Sequence, residues 1–186
     1  VTTGDLFPHE HNKSGIFFTN DGGVTWQNIT HNLLTIENIS EVVRVTQAGQ
    51  TLFAATNAGL FRKNTQDTQW QKIYIGNFLA VISDMVIDEG TIVLTLNQGS
   101  VIRSTDNGIT WNDWREGLEN ETTYVIMNGI SIRDGLYYLY TNVGIFTRMA
   151  SSSQWKKISD IFGALWLSYT DNRIFVGTQK GLYYQD

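Results

Sequence analysis

The 186-residue sequence contains no cysteine and a single proline, Pro8. The first absence excludes disulfides, thiolate metal sites and cysteine nucleophiles together, and it leaves the redox compartment open. Basic residues are few as well. Thirteen Lys and Arg stand against eighteen Asp and Glu, a net charge of −5. Nucleic-acid surfaces are basic, so this balance argues against a nucleic-acid partner. Long apolar runs are missing. The longest nearly apolar one, Ile161 to Leu167, has seven residues, whereas a membrane-spanning helix needs about 20. The start of the chain has no charged-then-apolar pattern of a signal peptide. There is no Gly-rich phosphate loop, serine-nucleophile motif or EF-hand loop. Extended helical periodicity is also lacking, and the best helical candidate is a turn or two within Asp113–Asn120.

The chain does have 41% apolar residues, 12% aromatics and 17 glycines. That is enough apolar material for a core. Short runs rich in Val, Ile, Thr, Phe and Tyr alternate with Gly/Asn/Asp clusters, the pattern of many short strands joined by tight turns. The expected class is all-β.

The dominant signal is an internal repeat. Trp26, Trp70, Trp111 and Trp155 are spaced by 44, 41 and 44 residues. In phase with them run GIFFT from Gly15, GLFRK from Gly59, SVIRS from Ser100, GIFTR from Gly144 and GLYYQ from Gly181. Just upstream of each of these lies a strand followed by a tight turn. Each repeat divides into four strands, A to D, placed in the second repeat at Glu41–Thr46, Thr51–Thr56, Leu60–Lys63 and Gln69–Tyr74. Later A strands are expected near Val81–Ile87, Val125–Ile132 and Ala164–Tyr169. Four short antiparallel strands every 40 to 45 residues is the spacing of a β-propeller blade, whose two apolar faces are buried by stacking on neighbours. The repeats run approximately 4–37, 38–76, 77–119, 120–160 and 161–186, in one propeller domain. The first lacks strand A and the last lacks strand D. Two readings stay open: five repeats of a longer propeller, with self-association of chains to complete a ring as a variant, or an imperfectly closed five-bladed ring.

Between strands C and D the first repeat reads TNDGGVTW, Thr19 to Trp26, and the third reads STDNGITW, Ser104 to Trp111. Both fit Ser/Thr-x-Asp-x-Gly-x-Thr-Trp. This resembles the Asp-box, or BNR repeat, of sialidase-like propellers. Asp21 and Asp106 can accept backbone N–H bonds in the turn. Gly23 and Gly108 supply positive φ, Thr25 and Thr110 begin strand D, and Trp26 and Trp111 are expected to fold under the hairpin between blades. The second and fourth repeats, KNTQDTQW and RMASSSQW, keep only the Trp. Families sharing the box include sialidases, xyloglucan-degrading glycosidases, photosystem II assembly factors and sortilin-type receptors. The phrase WNDWREGL, Trp111 to Leu118, resembles the link to the next blade in several bacterial members. The resemblance implies a structural role for the box, on the face opposite the ligand site, and a bacterial, extracytoplasmic protein.

A sialidase needs converging arginines, because their forks match a carboxylate. Arg62, Arg103 and Arg148 share nearly one offset, but at the end of strand C, on the box side, where they read as solvated arginines of a blade edge. A glycosidase could use two carboxylates. Those expected on the opposite face are Glu37, Glu41, Glu119, Glu121 and Asp160. His9 and His11 could share a strand face toward a metal, but the spacing matches no zinc signature. These two and His31 read as surface residues, and neither a metal nor a cofactor is assigned.

Binding features remain. Asn12, Asn57, Asn97, Asn142 and Gln179 precede the B–C glycines and would form a polar collar for a ligand, or are asparagines tolerating left-handed turn angles. Arg44 and Asp84 interrupt apolar inner strands at offsets one residue apart, either as a buried pair or as channel-exposed residues. Trp114, Trp166 and Tyr124 lie outside the repeat's Trp position, as core or as stacking surface. Asn-x-Ser/Thr triplets start at Asn12, Asn28, Asn38 and Asn120. The sequence therefore reads as a non-catalytic Asp-box propeller that binds a protein or glycan. The alternatives are a fragment of a glycoside hydrolase and an assembly factor of the photosystem II type.

Overall fold

The structure is a computed structural model and describes residues 2–3, 15–36, 39–76, 81–119, 121, 124–170 and 173–185. His9, His11, Asn12, Glu37, Asn38 and Asn120 lie outside the described residues. The chain forms two compact units, residues 1–75 and 76–186.

The first unit holds two blades. β1 (Thr2–Thr3), β2 (Gly15–Phe18) and β3 (Gln27–Asn28) form the first. A single helical turn, α1 (Leu33–Ile36), follows. This is the helix of the described residues; of the turn or two of helix expected at 113–120, residues 113–119 form the end of a strand and turns instead. β4 (Val42–Ala48), β5 (Thr51–Thr56), β6 (Gly59–Asn64) and β7 (Gln71–Ile73) form the second blade. Ile16, Leu33, Ala54, Phe61 and Trp70 make the core between them.

The second unit holds three blades. The third comprises β8 (Ile82–Asp88), β9 (Thr91–Leu96), β10 (Ser100–Ser104) and β11 (Asn112–Asp113). The fourth comprises β12 (Met127–Arg133), β13 (Leu136–Thr141), β14 (Ile145–Met149) and β15 (Lys156–Ser159). The fifth comprises β16 (Ala164–Tyr169), β17 (Ile174–Thr178) and β18 (Gly181–Gln185). Pairing throughout is antiparallel between chain neighbours. The architecture is therefore the expected one: all-β, a β-propeller of about five four-stranded blades, with strand A absent from the first sheet and strand D from the last among the described residues.

Local chemistry explains the meanders. The A–B hairpins turn on Glu89-Gly90 and Asp134-Gly135, each with two successive positive φ angles, as a two-residue hairpin of right-handed strands requires. Buried residues run along β5, β9 and β13; β9 is buried from Ile92 to Leu96. Each A strand opens with a β-bulge, between Val42 and Arg44, Ile82 and Asp84, Met127 and Gly129, and Ala164 and Trp166. Register puts Arg44, Asp84, Gly129 and Trp166 at one equivalent position; the one-residue offset between Arg44 and Asp84 in the sequence comes from the B–C turn, which joins Thr56 to Gly59 in the second blade but Leu96 to Ser100, one residue longer, in the third.

Candidate functional site: box turns, blade staples and an acidic cleft

The two complete box sequences build the same hydrogen-bond network. Asp21 accepts from the Thr25 amide at 3.0 Å and from the Thr25 hydroxyl at 2.5 Å, while Thr19 Oγ1 donates to it at 2.8 Å. Asp106 repeats this with Thr110 and Ser104 at 2.8, 2.5 and 2.7 Å. The hydroxyls of Thr19 and Ser104 accept the N–H of Gly23 and Gly108, and both glycines have positive φ. Donors surround each carboxylate and favour its ionised form. Hydrogen bonding from Thr25 thus holds Asp21 well below the usual carboxylate range, and that from Thr110 holds Asp106 down at about 2.

The box tryptophans fold back on their own hairpins as expected, but that of the first blade is not buried. Trp26 is 46% exposed, and its indole N–H bonds back to its own turn at Gly23 O; Trp111 does the same at Gly108 O. The tryptophans buried between blades are those of the degenerate repeats. Trp70 donates to Ile29 O and Trp155 to Trp114 O, each reaching the link of the preceding blade. Trp114 itself is buried core, edge-on to Tyr137 and Trp155. Arg148 is not a solvated edge residue either. It is 6% exposed, its guanidinium lies 4.5 Å from the Trp114 ring, and it donates to Trp114 O, Ser152 O, Ser153 O and Glu116. Its register partner, Tyr137, aligns it with Lys63 rather than with Arg62. Lys63, also buried, bonds Asp67 O and sits over Trp70. Arg103 stacks on Trp114 from the third blade and reaches Ala150 O.

Asp84 is 3% exposed. Its carboxylate accepts from Met85 N, from Ile130 N and from the Tyr140 hydroxyl, which ties the third blade to the fourth. Gly129 leaves the room in which the Tyr140 ring lies, since a Cβ there would meet that ring. In the collar, Asn57 and Asn142 do not take left-handed angles; the glycines that follow them do. Their side chains cap the incoming A strands. Asn57 Oδ1 accepts from Ser40 N and Glu41 N, and Asn142 Oδ1 accepts from Ile126 N. Asn97 and Gln179 are exposed at the same turns, and Arg44 is exposed on β4. In the second, fourth and fifth blades a threonine three residues before the glycine closes the turn: Thr56, Thr141 and Thr178 donate to Gly59 O, Gly144 O and Gly181 O. The recurring Thr-x-x-Gly in the sequence was the available signal for it.

On the edge carrying the B–C turns and D–A links, the second unit has an open cleft of about 620 Å³. Leu118 and Val125 form its apolar floor, and Gln98, Gly99 and the exposed Tyr124 form part of its rim. Its carboxylates are engaged. Asp113 pairs with Arg115 at 2.9 Å and Glu116 with Arg148 at 2.8 Å. Glu119 accepts from Gly117 N, and Glu121 pairs with Lys157 at 3.2 Å. The bond from Arg148 lowers the Glu116 pKa, while Asp160 and Glu121 raise that of Lys157. Of the acids expected from the sequence, Glu119 and Glu121 share this cleft, Asp160 joins through Lys157, and Glu41 lies exposed in the other unit. His31 is exposed. No cluster of metal-ligating side chains occurs among the described residues.

No protein-family model matches the sequence, and no curated protein matches it. Solved structures do. YCF48 bound to D1 peptide is similar with a TM-score of 0.67 at 15% identity, over 93% of this chain and 57% of that one. The extracellular domain of BT4673 from B. thetaiotaomicron gives 0.70 at 8% identity, over 92% and 25%. The computationally designed Ika8 protein gives 0.60 at 10%, over 79% and 46%. The chain thus spans between a quarter and three-fifths of the length of these relatives, and at such identities the likeness is one of fold: a propeller.

Proposed function

We propose that the chain is a non-catalytic, Asp-box type propeller module that binds a protein segment in the cleft of its second unit. The observation that carries this reading is the state of the cleft's acids. Asp113, Glu116 and Glu121 are paired with Arg115, Arg148 and Lys157, and Glu119 is held by a backbone amide, so they form a fixed rim of mixed charge, with Glu119 as its acidic point, over an apolar floor. Such a rim fits an extended peptide carrying Lys or Arg beside an apolar residue, with Tyr124 as a stacking surface. The peptide held by YCF48, a protein of like fold, supports a peptide over a glycan. The extracellular domain of BT4673 supports an extracytoplasmic setting, and no helix among the described residues is long and apolar enough to cross a membrane.

The test is fluorescence anisotropy with labelled extended peptides, basic-apolar against acidic-apolar, at low and high salt. A parallel panel of polysaccharides and sialylated glycans is read for both binding and released sugar. The expected result is salt-sensitive binding of the basic peptide, weakened by Tyr124→Ala. Sugar release would replace this reading with a glycoside hydrolase, and glycan binding without release would replace the peptide with a sugar.

A further inference from the structure

Asn107-Gly108 and Asn128-Gly129 are the two Asn-Gly pairs of the sequence. An asparagine before glycine can modify itself. The next amide nitrogen attacks the side-chain Cγ, and glycine has no Cβ to hinder the approach. The attack needs a free glycine amide and a side chain able to turn toward it. The two pairs are restrained in different ways. Asn128 lies in β12, where its Nδ2 donates to Ala164 O at 2.7 Å and Gly129 is buried; there the side chain is held. Asn107 is exposed in the third-blade box at φ 58°, while the Gly108 that follows is buried. Here the restraint falls on the nucleophile. Gly108 N donates to Ser104 Oγ at 2.8 Å. That hydroxyl is oriented by donating its own hydrogen to Asp106 at 2.7 Å. Asp106 in turn holds Ile109 N and Thr110 N at 3.1 and 2.8 Å. The chain is thus clamped on both sides of Gly108, and its amide is engaged by a buried acceptor.

We propose that Asn107-Gly108 is a latent deamidation site that the Ser104 hydroxyl keeps shut, so that the box modifies itself only when its turn opens. In the open turn the Gly108 nitrogen bonds to Asn107 Cγ. Its proton passes by way of solvent to Nδ2, which leaves as ammonia. Water then opens the five-membered imide at either carbonyl and leaves aspartate or isoaspartate at position 107. The isoaspartate product lengthens the backbone by one carbon and moves the glycine amide off Ser104, so the opening becomes permanent. The first box meets the same backbone demand without this chemistry. Gly22, at φ 71°, stands where Asn107 does in the third, and Thr19 Oγ1 holds Gly23 N at 3.0 Å.

Peptide mapping by mass spectrometry tests this on the full chain, held in warm, mildly alkaline buffer, with ammonia release as a second readout. Conversion at position 107 adds one mass unit to its peptide. Ser104→Ala should speed it by about two- to ten-fold, the extra opening that loss of one such hydrogen bond permits. Ser104→Thr should keep the wild-type rate, because threonine holds the same bond in the first box. Asn107→Gly should abolish the mass gain in that peptide. Circular dichroism checks the fold of each variant. Urea-unfolded wild type supplies the unshielded rate and keeps the test decisive if Ser104→Ala does not fold: the folded chain should convert at position 107 many-fold more slowly. A folded wild type that converts as fast as the unfolded one, a folded Ser104→Ala that keeps the wild-type rate, or a Ser104→Thr as fast as Ser104→Ala would each overturn the proposal. So would equal acceleration at Asn128 in Ser104→Ala, since the whole chain would then be opening rather than the turn.

Discussion

Asp84→Ala removes a buried carboxylate that joins two blades. The side chain is 3% exposed and takes the Ile130 amide at 3.1 Å and the Tyr140 hydroxyl at 3.2 Å. The Ile130 amide needs this acceptor because the bulge between Met127 and Gly129 disturbs the ladder beside it. Losing an acceptor for a buried donor costs about 1–3 kcal/mol, and a bond to a charged group contributes about 1.5–3 kcal/mol. Together the expected loss is about 3–5 kcal/mol, a large share of the roughly 5–15 kcal/mol that holds a typical domain. Two measurements check it. Urea unfolding followed by tryptophan fluorescence should show the drop in midpoint. Amide exchange should show Ile130 losing protection more than Leu139, which lies in a regular ladder. A double-mutant cycle with Tyr140→Phe should give a coupling of about 0.5–3 kcal/mol, because the pair is in contact. An Asp84→Ala protein within about 0.5 kcal/mol of wild type, or strict additivity with Tyr140→Phe, would refute this account.

Acid should loosen the two box turns late. The pKa values of Asp21 and Asp106 are lowered in the fold, so their stabilising contribution is full above the ordinary aspartate range near 4. It is lost as pH falls toward about 2, where Asp106 titrates; amide shifts of Thr25 and Thr110 that titrate near 4 would contradict this. Arg148→Ala should cost about 1–3 kcal/mol, since it takes the donor from the carbonyls of Trp114, Ser152 and Ser153 and empties the stack on Trp114, and Arg148→Lys should recover only part of this in thermal unfolding. Trp70→Phe and Trp155→Phe should each cost about 1–3 kcal/mol by losing a buried bond to the preceding link, while Trp26→Phe should stay within about 0.5 kcal/mol. Equal melting temperatures for these variants would contradict the two roles.

The fold was legible because its signals are local. Strand periodicity and Gly turns placed β5 at Thr51–Thr56 and β16 at Ala164–Tyr169 with the limits observed. The box sequence specifies its own network within eight residues, so Asp21 and Asp106 could be assigned without knowing the neighbours. The misreadings concern groups whose partners lie far along the chain. Nothing near Arg148 in sequence announces Trp114 as its partner, 34 residues away. The B–C turn of the third blade is one residue longer than that of the second, so Arg44 and Asp84, counted from strand C, looked out of phase. The collar asparagines were read either as a polar collar for a ligand or as residues tolerating positive φ, but the side chains of Asn57 and Asn142 are used as acceptors for the next strand.

The same tryptophan position therefore serves two kinds of blade. In the first and third blades the C–D hairpin is self-contained: carboxylate, hydroxyl, glycine and indole satisfy one another inside the turn. In the second and fourth, that carboxylate is missing. The hairpin is held instead by the preceding link, through indole bonds that each span 41 residues. These blades also share features that the box blades lack. Gln69-Trp70-Gln71-Lys72-Ile73 matches Gln154-Trp155-Lys156-Lys157-Ile158, and a buried cation, Lys63 or Arg148, caps the turn carbonyl four residues on. The degenerate boxes are thus a second design with its own signature, and Trp26 to Trp111 and Trp70 to Trp155 are both 85 residues apart. A self-contained hairpin can sit at a surface at little cost, because its polar groups need no neighbour. A stapled hairpin cannot, because separation from the preceding link leaves an indole N–H and a carbonyl without each other. Alternating the two gives each pair of blades an end that tolerates exposure and an inner junction that does not, so the cooperative element is the pair of blades.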